Sequence, residues 1–178
     1  MTIHPLIIRR AEALDAETLA VLATQVWLDN YATEGIHPSI ARYVLEALNP
    51  TRFEQMLADA ATLILVAERG RHVTGMTIVA LDRPTPLCDA PTQAEIDRLY
   101  VQEPFCNKGI GARLLDQVIA EMQTRGISAI WLQAWVGNAR ALRFYTKSGF
   151  IDAGAAYFEL SGKQIENRVL VRRLAAST

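Results

Sequence analysis

The stretch "EIDRLYVQEPFCNKGIGARLL", Glu95 to Leu115, constrains the fold more than any other. It reads as a strand from Glu95 to Val101, a short glycine-bearing loop, and an amphipathic helix from about Lys108 to Thr124. A turn at Gly126 and a second strand, "AIWLQAW", complete a βαβ unit. A helix joining two strands forces them to lie parallel, with a right-handed crossover.

The other segments arrange themselves around that unit. "LIIRRA" (Leu6–Ala11) reads as a first strand. After Asp15, placed to cap a helix, Leu19, Leu22, Ala23, Val26 and Trp27 recur at helical spacing. "PSIARYVLEAL" opens a helix at Pro38, and "TRFEQMLADA" is a short third helical candidate. "ATLILVAERGRHVTGMTIVALDR" reads as a hairpin turning near Gly70, and "PTPLCDAPT" as a loop. A short helix from Asn138 to Ser148 ends at Gly149, and "FIDAGAAYFEL" with "IENRVLVRRL" forms a closing hairpin. The order β-α-α-β-β-β-α-β-α-β-β implies a mixed α/β (α+β) fold. Its central sheet is mostly antiparallel, with one parallel strand pair and helices on both faces. The 178 residues show no internal repeat or linker, so one domain spanning 1–178 is expected.

Composition excludes several classes of function. Lys plus Arg (18) nearly cancels Asp plus Glu (19), and there is no basic tract, so neither nucleic acid nor an anionic membrane is an expected partner. No apolar segment approaches the roughly 20 residues that span a bilayer. Cys88 and Cys106 are too few for a disulfide scaffold, and a reducing cytoplasm fits them. His4, His37 and His72 are scattered without ligand spacing, so no metal is expected.

The glycine loop has two readings. Gly109 and Gly111 make a tight strand-to-helix turn, or they let a phosphate approach the backbone. In the second reading the unpaired N–H groups and the positive end of the helix dipole receive the anion, and Lys108 adds a cation. Walker A, G-x-x-x-x-G-K-[ST], appears nowhere, and Leu114 stands where the dinucleotide fingerprint needs a small residue. A second constellation, "WVGNARALRFYTKSGF", follows the second parallel strand. Asn138, Ala141, Leu142 and Tyr145 share one helical face, with Arg140, Arg143 and Lys147 opposite. Asn138 either caps this helix or bonds a ligand. Tyr145 is either a core tyrosine or a proton donor near the mouth between the strands.

Together, "RLYVQEPFCNKGIGARLL" and "NARALRFYTKSGF" resemble the acetyl-CoA-binding core of the GNAT superfamily of N-acetyltransferases. The first is similar to its (Q/R)-x-x-G-x-(G/A) loop and the second to its N-x-x-A-x-x-F-Y-x-x-x-G-F helix. With "WLDNYA…IARYVL" upstream, the chain also resembles the PaiA-type polyamine acetyltransferases. The resemblance implies that the parallel strands splay apart and that the pantetheine arm of acetyl-CoA lies between them. Its amides would pair with the backbone of Leu99 to Val101, Tyr100 included, and its pyrophosphate with the N–H groups of Asn107, Lys108, Gly109, Ile110, Gly111 and Ala112. Cys106 stands where the family usually has Gln or Arg, so one polar side-chain contact is missing. Asn138 and Tyr145 complete the implied cosubstrate site.

The same resemblance implies an enzyme with a primary amine as acceptor. An alkylammonium with a pKa near ~10.4 is neutral about one time in 10³ at pH 7, so a base is useful. Glu95 stands where several family members carry one. Asp97 is expected on the same strand face, and either carboxylate is equally readable as solvated or salt-bridged. Tyr145 is the expected general acid for the leaving thiolate. Cys106, at a helix N-terminus beside Lys108, is either reactive or an inert thiol. The helices from Ala16 to Ala60 and the late hairpin should wall the acceptor pocket. Asp29, Glu34, Asp82 and Glu159 are carboxylates that suit a polyamine or are equally ordinary surface charges, and Trp27, Tyr31 and Tyr43 are either aromatic faces for a cation or, as helical spacing more often means, core residues. A peptide amine is also open, as is a non-catalytic acyl-CoA-binding sensor. An exposed last strand would allow a homodimer.

Overall fold

The computed structural model describes residues 4–160 and 163–175. Seven strands, β1 (Leu6–Arg10), β2 (Thr62–Arg69), β3 (His72–Ala80), β4 (Gln93–Val101), β5 (Ala129–Trp135), β6 (Ile151–Leu160) and β7 (Lys163–Arg173), form one sheet in the order β1-β2-β3-β4-β5-β7-β6. β4 and β5 are parallel, as the intervening helix requires. The β1–β2, β5–β7 and β6–β7 ladders are antiparallel. The helices are α1 (Ala16–Tyr31), α2 (Pro38–Ala47), α3 (Pro50–Ala58), α4 (Ile110–Thr124) and α5 (Ala139–Lys147). No helix among the described residues is long and apolar enough to cross a membrane. The chain forms two compact units, Met1–Ile78 with Arg98–Gln117, and Val79–Asp97 with Val118–Thr178.

In the first unit, the turn from β2 to β3 uses two successive left-handed residues, Gly70 (φ 54°) and Arg71 (φ 69°). Such a pair matches the twist of the flanking strands. Leu19, Leu22, Ala23, Val26 and Trp27 of α1 pack with Phe53 of α3, Ile64 and Val66 of β2, and Met76 and Ile78 of β3. Leu63 and Leu65, on the other face of β2, are buried as well, so this strand is covered on both sides. α2 starts at Pro38, where His37 Nδ1 accepts from the Ser39 N–H. α3 starts at Pro50, where Asn49 Oδ1 accepts from the Arg52 N–H at 3.0 Å.

Asp15 departs from the expected cap. It stands just before α1, but its side chain makes no cap bond to that helix. Its carboxylate instead accepts from Arg9 at 2.7 and 2.9 Å and from the Glu12 N–H at 2.7 Å, closing a 3₁₀ turn at Ala13–Asp15. A two-pronged guanidinium pair outbids a single helix N–H. Arg9 also donates to Glu68, so β1, β2 and the turn share one charge cluster.

In the second unit, β5 pairs with β7 along its whole length, from Ala129–Arg173 to Trp135–Asn167. This corrects the expectation of an exposed last strand. β7 lies between β5 and β6 and spends both backbone edges on them, so β6 is the edge strand. The loop between β3 and β4 is held by Gln93. Its Oε1 accepts from the Thr85 N–H at 2.9 Å, and its Nε2 donates to the carbonyls of Cys88 (2.9 Å) and Ala90 (3.0 Å). The apolar face of α4 is buried at Ile110, Leu114 and Leu115, which belong to the first unit, and at Val118 and Met122, which belong to the second. Ile119, at its edge, is partly exposed.

Candidate active site

In the first unit, β4 passes into the glycine loop through a 3₁₀ turn at Glu103–Phe105. The end of β4 is fixed to β3: Thr77 Oγ1 donates to the Arg98 carbonyl at 2.9 Å, and the Gln102 N–H to the Thr74 carbonyl at 3.1 Å. Leu99, Tyr100 and Val101 are partly buried, and Tyr100 packs on the α1–α3 core. Beyond the turn, Asn107 (φ 59°) and Gly109 (φ 79°) are both left-handed. A side chain at Gly109 would meet no heavy atom within 4 Å, so the backbone angle, and not lack of room, calls for glycine there. The first helical bond runs from the Arg113 N–H to the Gly109 carbonyl at 3.1 Å. The N–H groups of Ile110, Gly111 and Ala112 therefore stand ahead of the α4 ladder, at the positive end of its dipole.

Two side chains of this loop point elsewhere. The Lys108 ammonium donates to the Pro104 carbonyl at 2.7 Å and lies 5.5 Å from the Phe105 ring centre. The Cys106 thiol donates to the Val101 carbonyl at 3.6 Å and is in no disulfide. The loop thus offers an anion its backbone donors, with the lysine charge drawn back onto the preceding turn.

In the second unit, the β4–β5 ladder joins only Gln93–Ala129, Ala94–Ile130 and Glu95–Trp131, although both strands continue. At this end of the ladder Glu95 is 8% exposed, and it accepts from Arg83 Nη1 at 3.0 Å. The salt-bridged alternative for this carboxylate is therefore the one observed. Asp97, two residues on, is exposed. Asn138 caps α5, its Oδ1 accepting from the Ala141 N–H at 3.0 Å. Arg140, Arg143 and Lys147 are exposed, whereas Tyr145 is 7% exposed, as the helical faces predict. The Tyr145 ring meets the rings of Phe144 and Phe150 edge-on, at 5.0 and 5.4 Å between centres. Arg172 Nη1 donates to the Ser148 carbonyl at 2.6 Å and closes the far end of the helix.

The expected acceptor-side residues divide by burial. Asp29, Glu34, Asp82 and Glu159 are exposed. Trp27 is buried, with Tyr31 and Tyr43 each 4.7 Å from its ring centre. Burial, with Tyr43 nearby, pushes the Tyr31 phenol above its ordinary range. Trp27 is therefore a core residue, and its two tyrosines form the outer layer of the same packing.

The pattern of the acetyltransferase (GNAT) family matches residues 13–150. The chain belongs to this family. An uncharacterized N-acetyltransferase of Mycobacterium tuberculosis is 30% identical over 162 residues, which cover 90% of this chain and 98% of that one. An IAA acetyltransferase of Azospirillum brasilense is 30% identical over 127 residues, 71% of this chain and 74% of its own. The crystal structure of the PaiA N-acetyltransferase from Thermoplasma acidophilum in complex with coenzyme A superposes with a TM-score of 0.76. It is 21% identical to this chain and covers 95% of it, with 99% of its own length included. This GNAT chain is accordingly an acetyl-CoA-dependent N-acetyltransferase, with the mixed sheet of the fold.

Sequence reasoning missed Arg83 and Trp131. Trp131 Nε1 donates to the Arg83 carbonyl at 2.8 Å, while the Arg83 side chain reaches Glu95. Arg83 lies in a proline-flanked loop with no periodic pattern, and only its charge distinguishes it. Trp131 had a weak signal: an indole in the middle of a buried strand needs an acceptor for its N–H.

Proposed function

We propose that this GNAT protein, working as one domain over 1–178, transfers acetyl from acetyl-CoA to a primary amine by direct attack in a ternary complex. The observation that carries the reading is the junction at Asn107–Ala112. There, two left-handed residues and an open space over Gly109 precede N–H groups that stand outside the α4 ladder. That is the donor set a pyrophosphate takes at a helix N-terminus. In this reading the amides of the pantetheine arm pair with the backbone from Leu99 to Val101. A donor near Leu99 takes the charge that develops on the thioester oxygen.

The chemistry then assigns two side chains. Glu95 accepts a proton from the substrate ammonium, directly or through water. The amine lone pair attacks the carbonyl carbon, the carbon–sulfur bond breaks, and the sulfur takes its proton from Tyr145; the second proton of the attacking nitrogen passes through water and restores the phenol. A thiolate with an ordinary pKa near ~8.5 receives a proton from a phenol near ~10 only with close contact, and burial of Tyr145 among aromatic rings supports a fixed geometry. Asn138 supports the site as the cap that sets α5, which carries Tyr145.

Within the amines, a polyamine is the favoured acceptor, from the looser resemblance of "WLDNYA…IARYVL" to the PaiA type. The proposed setting is the cytoplasm. The test is release of coenzyme A from acetyl-CoA in the presence of spermidine, spermine, lysine peptides or aminoglycosides. Thiol release with one of these amines and the matching acetylated product are expected. Binding of acetyl-CoA without release across the panel would replace the enzyme with a sensor.

A further inference from the structure

The geometry points to Arg83 as a positioning residue for Glu95, held in place by Trp131, the ladder partner of Glu95. This rests on the reading of Glu95 as the base. Three observations close into a circuit. Glu95 faces Trp131 in the last pair of the parallel ladder. The Trp131 indole N–H holds the Arg83 carbonyl at 2.8 Å. The Arg83 guanidinium returns to Glu95 Oε2 at 3.0 Å. All three belong to the second compact unit.

Each link has a physical reason. Glu95 is buried, and a buried carboxylate is costly unless a cation pairs with it and hydrogen-bonds to it. Arg83 supplies that cation, 3.0 Å from the carboxylate oxygen. Arg83 Nη1 donates to Glu95 Oε2 at 3.0 Å, and a charge-assisted bond of this length orients the carboxylate. The Arg83 side chain is itself 58% exposed and has little packing to orient it. The bond from Trp131 to its backbone supplies the anchor, because a buried indole N–H is costly to leave unpaired. The circuit closes at the Glu95–Trp131 pair, so the base is braced at the end of the ladder between β4 and β5.

The experiment compares Glu95→Gln, Arg83→Gln, Arg83→Lys and the double variant, assayed with the panel amine that the parent chain turns over fastest. Arg83→Gln is expected to lower kcat by about ten-fold, as loss of a well-placed base does in part, with the KM for acetyl-CoA nearly unchanged. Arg83→Lys, which keeps a point charge, should recover most of that loss. In the Glu95→Gln background, Arg83→Gln should change kcat by less than about two-fold, because coupled residues are not additive. Full turnover in Glu95→Gln, or no turnover of any amine by the parent chain, would remove the base and this inference with it. A damaged Glu95→Gln beside an unaffected Arg83→Gln would overturn the inference alone. Independently of turnover, hydrogen exchange at the Trp131 indole should accelerate in Arg83→Gln and return toward the parent rate in Arg83→Lys. Unchanged exchange would show that the circuit transmits nothing.

Discussion

Gly75→Ala is the substitution whose effect follows most directly from the packing. Gly75 lies in β3 against β4, and a Cβ there would come 2.9 Å from the Tyr100 carbonyl oxygen, 3.2 Å from Val101 Cγ2 and 3.4 Å from Ile110 Cγ2. The first contact is with backbone, so rotation of a side chain does not relieve it. Gly75 is not left-handed, and alanine in its place would restrict the unfolded chain, which favours folding by about 0.4–1 kcal/mol. Overpacking of a close-packed interior costs about 1–3 kcal/mol, and this larger effect wins. The net loss, about 1–2 kcal/mol, corresponds to a fall in melting temperature of roughly 2–8 °C for a chain of this size. The displaced atoms belong to the strand end proposed to bind the pantetheine arm, so the KM for acetyl-CoA should rise with it. Scanning calorimetry and initial rates against acetyl-CoA measure the two effects. A melting temperature that rises, together with an unchanged KM, would refute the assigned contact between β3 and the end of β4.

Further outcomes follow from single residues. Tyr145→Phe keeps the ring contacts to Phe144 and Phe150 and removes the phenol proton, so kcat should fall by at least about ten-fold with little change in acetyl-CoA affinity; unchanged turnover would remove the general-acid role. Gln93→Ala leaves the Thr85 N–H and the carbonyls of Cys88 and Ala90 without their partner. Denaturant unfolding should register a loss of about 2–4 kcal/mol, with faster amide exchange at Thr85. Arg9 and the Glu12 N–H hold the Asp15 carboxyl below the usual carboxylate range. A group depressed in the folded state stabilises above its unfolded value, near ~3.9, and that contribution is lost as pH falls through the folded value. Asp15→Asn should therefore melt lower than the parent chain at pH 7 and lose less stability on acidification toward pH 3, as thermal melts across that range would record.

Much of this was legible because the strongest signals are local. The βαβ unit was readable because its apolar stripe, Ile110 to Met122, has the helical period and because a helix between two strands leaves them one relative direction. The cap at Asn138 and the proline at 38 act on their own next turn. What sequence did not disclose depends on partners far along the chain. Asp15 looked like a cap until Arg9 and Glu68 were brought to it. β7 looked like an edge because strand order within a sheet has no local signature. Lys108 was read as a loop cation, yet the Pro104 carbonyl four residues back claims its ammonium. Glu95 was legible as a strand carboxylate, whereas its partner Arg83 was not, since pairing across a proline-flanked loop follows no spacing rule.

The central claim is that backbone amides at the start of α4 receive the pyrophosphate of the acetyl donor. It is tested most directly by titrating the ¹⁵N-labelled protein with coenzyme A and following the amide resonances of Asn107 to Ala112. These signals are predicted to shift in step with binding, and pantetheine, which lacks the pyrophosphate, should leave them nearly in place. Coenzyme A that binds elsewhere in the spectrum while these amides stay still would contradict the account.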